Sequence, residues 1–241
     1  EGELPSTLNM TGSVTKDGNL KTYHGPEFRA GLRYAFTDDF SVKAGVNTMR
    51  QYIHKVSNTM VMSPTDTWKL SDMFIEPQKG IQYSLGFYKN LMDEKLEASI
   101  EGYYKTMDNY LDYRSGAQLL MNDHLETEVL PTEGRAYGAE FMLKIPKGKF
   151  NGWLSYTYSK TELRQNDERI SRPANKGEWY PAEYDKPHDI KLVGNYQFTQ
   201  RYSTSLNVDY STGRPQTMPV SQYNSNTIGA TSFVFTERNG V

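Results

Sequence analysis

The sequence contains no cysteine in its 241 residues, which excludes disulfide frameworks and metal sites built from thiolates. Its formal net charge is −2, so no basic field favours binding to nucleic acid. No apolar run reaches the ~18–20 residues that a membrane-spanning helix needs. The first ten residues lack a basic segment followed by an apolar one. We therefore expect a cytosolic protein, a mature chain, or an internal part of a longer chain.

Sequence motifs of the common enzyme classes are also missing. The histidines are scattered, without an HExxH motif or an i, i+4 pair: His24, His54, His124 and His188. The motifs GxSxG, GxxxxGK and GxGxxG do not occur. His188 and Asp189 are adjacent, but adjacent residues of a strand point to opposite faces and cannot easily share one proton. We predict that the protein is not an enzyme and has no catalytic residues, metal site or cofactor.

Alternation of apolar and polar residues dominates the chain from Glu27 onwards. In the stretch from Gly134 to Thr161, two alternating segments flank a tight turn at residues 146–149. Three further pairs of segments turn at residues 37–39, 92–94 and 199–201. Because successive residues of a strand point to opposite faces, each pair predicts a hairpin with one apolar and one polar face. Long irregular segments separate the hairpins, and a ninth strand begins after about Ile228.

Two all-β architectures fit this alternation. A soluble β-sandwich has alternating strands, and its loops would make it a glycan-binding module. However, strands of about 10 to 14 residues exceed the usual length and match tilted membrane-spanning strands. Short turns at one end and long loops at the other are typical of transmembrane barrels. We therefore predict an all-β fold, an antiparallel up-and-down transmembrane β-barrel segment with short periplasmic turns and long extracellular loops, and keep the sandwich as the alternative.

A barrel interpretation divides the chain and its polar residues. We expect residues 1–26 to form an extracellular loop and residues 27–241 to form a partial barrel of about eight or nine strands. The polar faces would then line a wet lumen, with the following charged residues pointing inward: Arg29, Arg33, Lys43, Glu97, Glu101, Glu140, Lys144, Asp189 and Lys191. Ligand recognition should lie on the long loops, because long loops on a rigid scaffold often carry function.

Aromatic residues and one arginine in the long segments are the candidates for ligand contact: Trp68, Tyr110, Tyr113, Arg114, Trp179 and Tyr180. Exposed rings stack on sugars or flat chelates, and arginine binds carboxylates through two parallel hydrogen bonds. The same residues also suit an aromatic belt at the membrane surface, or packing between loops. The sequence favours these structural roles over ligand contact.

Four segments, in this order and spacing, resemble the barrel of TonB-dependent outer-membrane receptors. They are Gly134–Phe141 (GRAYGAEF), Trp153–Ser159 (WLSYTYS), Trp179–Asp189 (WYPAEYDKPHD) and Thr212–Pro215 (TGRP). The resemblance covers nearly the whole chain from about Tyr23. It implies an energy-coupled transporter of the bacterial outer membrane that imports a scarce ligand, such as a siderophore, a vitamin or an oligosaccharide.

The resemblance also implies partners and a larger whole. Barrels of this family have about 22 strands around a plugged lumen, so we expect the C-terminal part of a barrel with both ends missing. The implied partners are outer-membrane lipid, a small ligand, the N-terminal plug domain of the same protein, and the TonB complex, which would bind through a segment outside this sequence. A surface lipoprotein is a further possible partner.

Overall fold

The computed structural model describes residues 21–56, 67–72, 74–113, 128–166, 170, 173–225 and 230–240. Within these residues a single 3₁₀ turn lies at Ala174–Gly177, and the remaining regular structure is β-strand. The strands are β1 (Arg29–Thr37), β2 (Phe40–Gln51), β3 (Ile53–Val56), β4 (Thr67–Leu70), β5 (Gln78–Leu91), β6 (Leu96–Tyr113), β7 (Val129–Ile145), β8 (Phe150–Arg164), β9 (Tyr180–Pro181), β10 (His188–Gln197), β11 (Ser203–Ser211), β12 (Pro219–Ser225) and β13 (Ala230–Phe235).

Eight strands form one antiparallel sheet, which we call the wall. Their order is β1-β2-β5-β6-β7-β8-β10-β11, so each strand pairs with the next long strand along the chain, and β9 adds to the edge of β8. Short turns join the strand pairs at one end of the wall (the turn end). The longer connections lie at the other end (the loop end). The up-and-down arrangement predicted from the sequence is confirmed, and the sheet does not close into a barrel within the described residues.

The pairing register aligns side chains of one kind into rows across the wall. One row crosses all eight strands: Tyr34, Val42, Phe87, Ile100, Phe141, Tyr156, Ile190 and Tyr210. The neighbouring row on the opposite face contains Arg33, Lys43, Gly86, Glu101, Glu140, Thr157, Asp189 and Ser211. We call these the apolar face and the polar face of the wall.

The apolar face is open to its surroundings. Leu32 is 70% exposed, Ile100 50% and Tyr210 56%. Buried apolar side chains instead gather at the loop end, where Leu163, Tyr180 and Ala182 form a small core. In the described part of the chain, no helix has the length and apolar character needed to cross a membrane.

The structure adds strands where the sequence predicted irregular segments. β6 continues to Tyr113 and β7 begins at Val129, inside the segment predicted as irregular. Two short hairpins, β3–β4 and β12–β13, stand outside the wall. The predicted ninth strand is present as β13, but it pairs with β12 and not with β11.

The proposed domain boundary near residue 26 stays a prediction. Residues 21–28 have no regular structure, and residues 1–20 lie outside the described residues.

A bulge at Asn109 divides β6 into a longer part towards the turn end and a shorter part at the loop end. The register shifts between Met107 and Tyr110, and Asn109 takes a positive φ of 56°, which asparagine tolerates better than most residues. Its side-chain amide donates to the Pro77 carbonyl oxygen at 3.3 Å. The extra residue reverses the alternation of β6. Tyr110 and Asp112 consequently lie on the polar face, although a strict two-residue period would place them on the apolar face.

Two glycines of the apolar face provide a matched test of strand packing. A Cβ on Gly152 would overlap the Val193 carbonyl oxygen and lie 2.9 Å from the Cα of Gly194. A Cβ on Gly102 would have its nearest neighbour at 3.8 Å, the Gly138 carbonyl oxygen. We expect Gly152→Ala to lower the free energy of unfolding by about 1–3 kcal/mol, as overpacked sites do, and Gly102→Ala to have little effect. Urea unfolding of both variants in detergent measures this difference. Equal losses of unfolding free energy in the two variants would contradict the close β8–β10 packing at Gly152.

Candidate functional site

A buried carboxylate organises the loop end of the polar face. The Asp112 Oδ2 atom accepts hydrogen bonds from the Tyr180 hydroxyl at 2.5 Å and from the Gln165 amide at 3.3 Å. Its Oδ1 atom accepts a hydrogen bond from Arg238 Nη2 at 2.6 Å. Asp112, Gln165 and Tyr180 are all buried. We call these four residues the Asp112 cluster.

The Asp112 cluster connects parts of the chain that are far apart in sequence. Arg238 and Asp112 are 126 positions apart. The Asn175 side chain pairs with the backbone of Arg238, donating to its carbonyl oxygen at 3.0 Å and accepting from its N–H at 2.8 Å. Asn239 Nδ2 donates to the Pro181 carbonyl oxygen at 2.8 Å. The segment that follows β13 is therefore fixed to the wall through charge and backbone contacts.

Tyr180 is a structural residue of this cluster. Only 1% of it is exposed. Burial, and then the negative charge of Asp112, raise the pKa of the Tyr180 phenol, so the hydroxyl stays protonated and donates to the carboxylate. The ligand-contact prediction assumed an exposed ring, whereas the Tyr180 ring lies in the loop-end core. Ligand contact by Tyr180 stays a prediction.

Trp179 points away from the Asp112 cluster. Its ring lies 4.2 Å from the Arg135 Cζ atom and 4.8 Å from the Arg164 Cζ atom, measured to the ring centroid. Both arginines lie on the apolar-face side of the wall. Arg135 is two residues before Tyr137 on β7 and therefore shares its face, and the unshifted β7–β8 register places Arg164 on the same face. Adjacent residues of an extended segment point to opposite sides. Trp179 therefore contacts side chains on the apolar-face side of the wall.

The other predicted ligand-contact residues do not form one group. Tyr110 is half-buried against the loop-end core and hydrogen-bonded to Tyr184. Trp68 lies in the separate β3–β4 hairpin and is 59% exposed. Tyr113 ends β6, and its side chain, like the whole of Arg114, lies outside the described residues. Ligand contact by Trp68, Tyr110, Tyr113 and Arg114 stays a prediction.

All nine charged residues predicted for the lumen share the polar face of the wall: Arg29, Arg33, Lys43, Glu97, Glu101, Glu140, Lys144, Asp189 and Lys191. Lys144 Nζ lies 3.0 Å from Glu97 Oε2, and Lys191 Nζ lies 3.6 Å from Asp189 Oδ2. Glu101 and Glu140 face each other across β6 and β7. Because the sheet is open here, their position in a lumen stays a prediction.

A polar recess of about 280 Å³ opens on this face beside the Asp112 cluster. Four hydroxyl side chains of β8 line one side of the recess, and the 184–186 segment and β10 line the rest. The lining residues are Ser155, Thr157, Ser159, Thr161, Tyr184, Asp185, Lys186, Asp189 and Lys191. Asp185 accepts the Thr161 N–H at 2.8 Å, and burial raises the pKa of its carboxyl. Lys186 Nζ donates to Ser211 Oγ at 3.1 Å.

The recess can offer hydrogen bonds and charges of both signs to a polar molecule or to another domain. In the part of the chain that the structure describes, histidine and acidic side chains form no group suited to a metal ion.

Three of the four residues of the Asp112 cluster were not among the predicted site residues: Asp112, Gln165 and Arg238. Asp112 lies in a segment that was predicted to be irregular. The sequence does contain a signal for the different positions of Trp179 and Tyr180, because adjacent side chains of an extended segment point to opposite sides.

Comparisons with known proteins agree on one family. The family model described as "TonB dependent receptor-like, beta-barrel" matches residues 7–239. No curated protein sequence is similar enough to this chain to count as a match. Among solved structures, the ferric-catecholate import receptor Fiu of E. coli K12 shares 18% identity and a TM-score of 0.53, over 88% of this chain and 27% of that chain.

Two further solved structures are similar to the same extent. The pyoverdine receptor FpvA of Pseudomonas aeruginosa PAO1 shares 13% identity with a TM-score of 0.51, over 88% of this chain and 28% of that chain. FpvAI in complex with pyocin S2 shares 12% identity with a TM-score of 0.52, over 88% and 26%. The chain thus spans about a quarter of the length of these proteins. At these identities the likeness shows the fold alone.

The Asp112–Arg238 pair should be a large contributor to stability. Its two side chains are only 8% and 17% exposed, so removing Arg238 leaves the buried Asp112 carboxylate without this ion pair. We expect Arg238→Gln to lower the free energy of unfolding by about 3–5 kcal/mol, measured by urea unfolding in detergent. The control is Lys144→Gln, which breaks the exposed pair with Glu97 and should cost below about 1 kcal/mol. Similar losses in both variants would contradict the assigned role.

Proposed function

The chain belongs to the TonB-dependent receptor family through its β-barrel, and on this premise we propose that it forms part of the wall of an active transporter. Proteins of this family lie in the bacterial outer membrane, and so does this one. The proposed transporter binds a scarce ligand at the cell surface and admits it to the periplasm. The long connections at the loop end would face outward, and the short turns would face the periplasm.

The observation that carries this proposal is the unbroken apolar row across eight strands. Its side chains are large, and many are exposed; Phe87 is 41% exposed and Tyr34 59%. In water, an apolar surface of this extent would be a strong site for aggregation. In a membrane the same face contacts lipid tails, so its exposure does not favour aggregation. The free edges of β1 and β11 would pair with further strands, because unpaired backbone groups in lipid cost several kcal/mol each.

The polar face supports a lumen that is filled by a second domain. Glu101 and Glu140 are directly opposite on neighbouring strands, an arrangement that destabilises a sheet unless other groups compensate. Tyr88 is hydrogen-bonded to Glu101. Among the described residues, no cationic side chain forms an ion pair with either carboxylate. We propose that the plug domain of the same protein supplies cations to this pair.

The ligand class is left open by the fold. Fiu is a ferric-catecholate import receptor and FpvA is a pyoverdine receptor, so ferric siderophores are the first class to test. Cobalamin-like chelates, oligosaccharides and peptides complete the panel. The energy for uptake would come from the TonB complex, bound through a segment of the longer protein. The recess beside the Asp112 cluster is the part of this chain best suited to contact a polar ligand.

The alternative of a soluble glycan-binding sandwich has less support. A sandwich buries one face of each sheet against a second sheet. In the described residues no second sheet covers the apolar face of the wall. The two other sheets are two-stranded hairpins, which are too small to do so.

The uptake experiment tests the transport proposal directly. The gene is deleted in the source organism, and the full-length protein is restored from a plasmid in strains with and without functional TonB. Cells are supplied with each panel ligand in labelled form under starvation for that nutrient. We expect one ligand to accumulate only when both the protein and TonB are present. Accumulation that continues without TonB would contradict energy-coupled transport.

Charge substitutions on the two faces test the orientation of the wall. Phe141 lies in the middle of the apolar face, and Thr157 lies on the polar face opposite Glu140. We expect Phe141→Lys to lower the free energy of unfolding in lipid by about 2–4 kcal/mol, as a cation does at the midplane of a barrel. Thr157→Lys, the control, should have a much smaller effect. Unfolding is measured after reconstitution in vesicles, and the reverse order of the two losses would contradict the orientation.

A further inference from the structure

Two arginines flank Trp179 on the apolar-face side of the loop end, and with their ion-pair partners they form a cluster that we call the arginine clamp. It consists of three cations, one aromatic ring and two carboxylates: Arg135, Lys160, Arg164, Trp179, Glu133 and Glu162. The cluster lies on the side of the wall opposite to the polar face and its recess. It therefore has no place in the proposed path of the ligand.

The clamp is held rigidly by ion pairs and by the tryptophan ring. The Glu162 side chain is 8% exposed and binds two cations, Arg135 Nε at 2.7 Å and Lys160 Nζ at 2.8 Å. Arg164 Nη2 lies 2.5 Å from Glu133 Oε2. Both guanidinium groups lie over the Trp179 ring, a contact that stabilises arginine and fixes its plane. The side chains are thus ordered before any partner binds.

The clamp retains capacity for an anion. Three cations face two carboxylates, which leaves one positive charge in excess. The side chains of Arg135, Lys160 and Arg164 are 33%, 36% and 31% exposed. Arg135 binds Glu162 through Nε, and a guanidinium carries four further N–H donors on its two Nη atoms. An oxyanion at the surface of the clamp would accept hydrogen bonds from donors that are already in position.

The height of the clamp on the wall matches the headgroup layer of a membrane. From Phe150 to Tyr158, the apolar face of β8 rises eight residues, or roughly 20 Å for a strand tilted by ~40°. Lys160 is the next residue on that face. Tyr158 lies one step nearer the turn end than Lys160, and Tyr137 pairs with Lys160 one step nearer the turn end than Arg135. Aromatic residues at such a position mark a membrane–water interface. The cations of the arginine clamp therefore lie just beyond the hydrocarbon region of the membrane, at the level of the lipid headgroups.

We propose that the arginine clamp binds the phosphate group of an outer-leaflet lipid headgroup. Guanidinium groups bind phosphate through paired hydrogen bonds, and the position of the clamp beside the apolar face brings a lipid phosphate to it while the tails cover the tyrosines. This inference rests on the proposed membrane orientation of the wall. It assigns Trp179 to lipid contact and removes it from the ligand-binding residues predicted for the loops.

Lipid affinity of the full-length protein tests this assignment. Native mass spectrometry in a neutral detergent measures binding of phosphatidic acid, with phosphatidylcholine as the lipid without net charge. We expect Arg135→Gln combined with Arg164→Gln to weaken phosphatidic acid binding about tenfold or more, as expected for lost charge-assisted hydrogen bonds. Lysine at both positions keeps the charge but loses the planar fork, so an intermediate loss is expected.

The matched control removes two cations from the same face and the same end of the wall. Arg50 and Lys79 face each other on β2 and β5, and Arg50→Gln with Lys79→Gln should change phosphatidic acid affinity less than about threefold. Equal losses in both double variants would show a diffuse surface charge and overturn the clamp. Equal affinity of the wild-type protein for both lipids would also overturn it.

Further measurements separate the possible sources of failure. Inorganic phosphate that displaces phosphatidic acid at equal concentration would identify a site for a soluble anion and overturn the lipid assignment. Gel mobility before and after heating verifies that each variant is a folded barrel, and the lysine variant keeps the test decisive if the glutamine variant does not fold. A wild-type protein that stays monomeric in water without detergent would overturn the membrane orientation itself, and with it the proposed function.

Discussion

Backbone hydrogen bonding between neighbouring antiparallel strands is the constraint on which the rest of this structure depends. A slip of one residue at any strand pair would move every later side chain to the other face. Because all eight strands are in register at the middle of the wall, one row of apolar residues and one row of polar residues cross the whole sheet. The contrast between the faces makes the sheet suitable as the wall of a membrane barrel. It also requires that lipid and a polar interior lie on opposite sides.

The bulge in β6 positions the residues of the loop end. The bulge at Asn109 reverses the alternation of β6, and Asp112 therefore points to the polar side. A buried carboxylate is costly unless it is paired and hydrogen-bonded. Tyr180, Gln165 and Arg238 meet this requirement. The bulge thus determines where the segment after β13 is fixed, and the recess opens beside this anchored region.

Trp179 and Tyr180 illustrate how adjacent residues acquire different roles. One ring is buried against Asp112, while the other lies between two arginines on the opposite side of the wall. Residue type alone makes both of them candidates for ligand stacking. Their separation follows from the extended conformation of the segment, which turns consecutive side chains to opposite faces. In the structure, one of the two rings supports the fold and the other orders the arginine clamp.

The sequence by itself determined the all-β class, the hairpin order and the shared face of the nine charged residues from Arg29 to Lys191. These features depend on a two-residue period and on turn residues, which are local and therefore readable along the chain. The tertiary structure decided the bulge in β6, the burial of Tyr180, the pairing of β13 with β12 and the contacts of Asp112 and Trp179. Each of these depends on partners distant in the chain, as Asp112 and Arg238 are. No local pattern specifies such contacts, because they form only when the strands have been brought together in register.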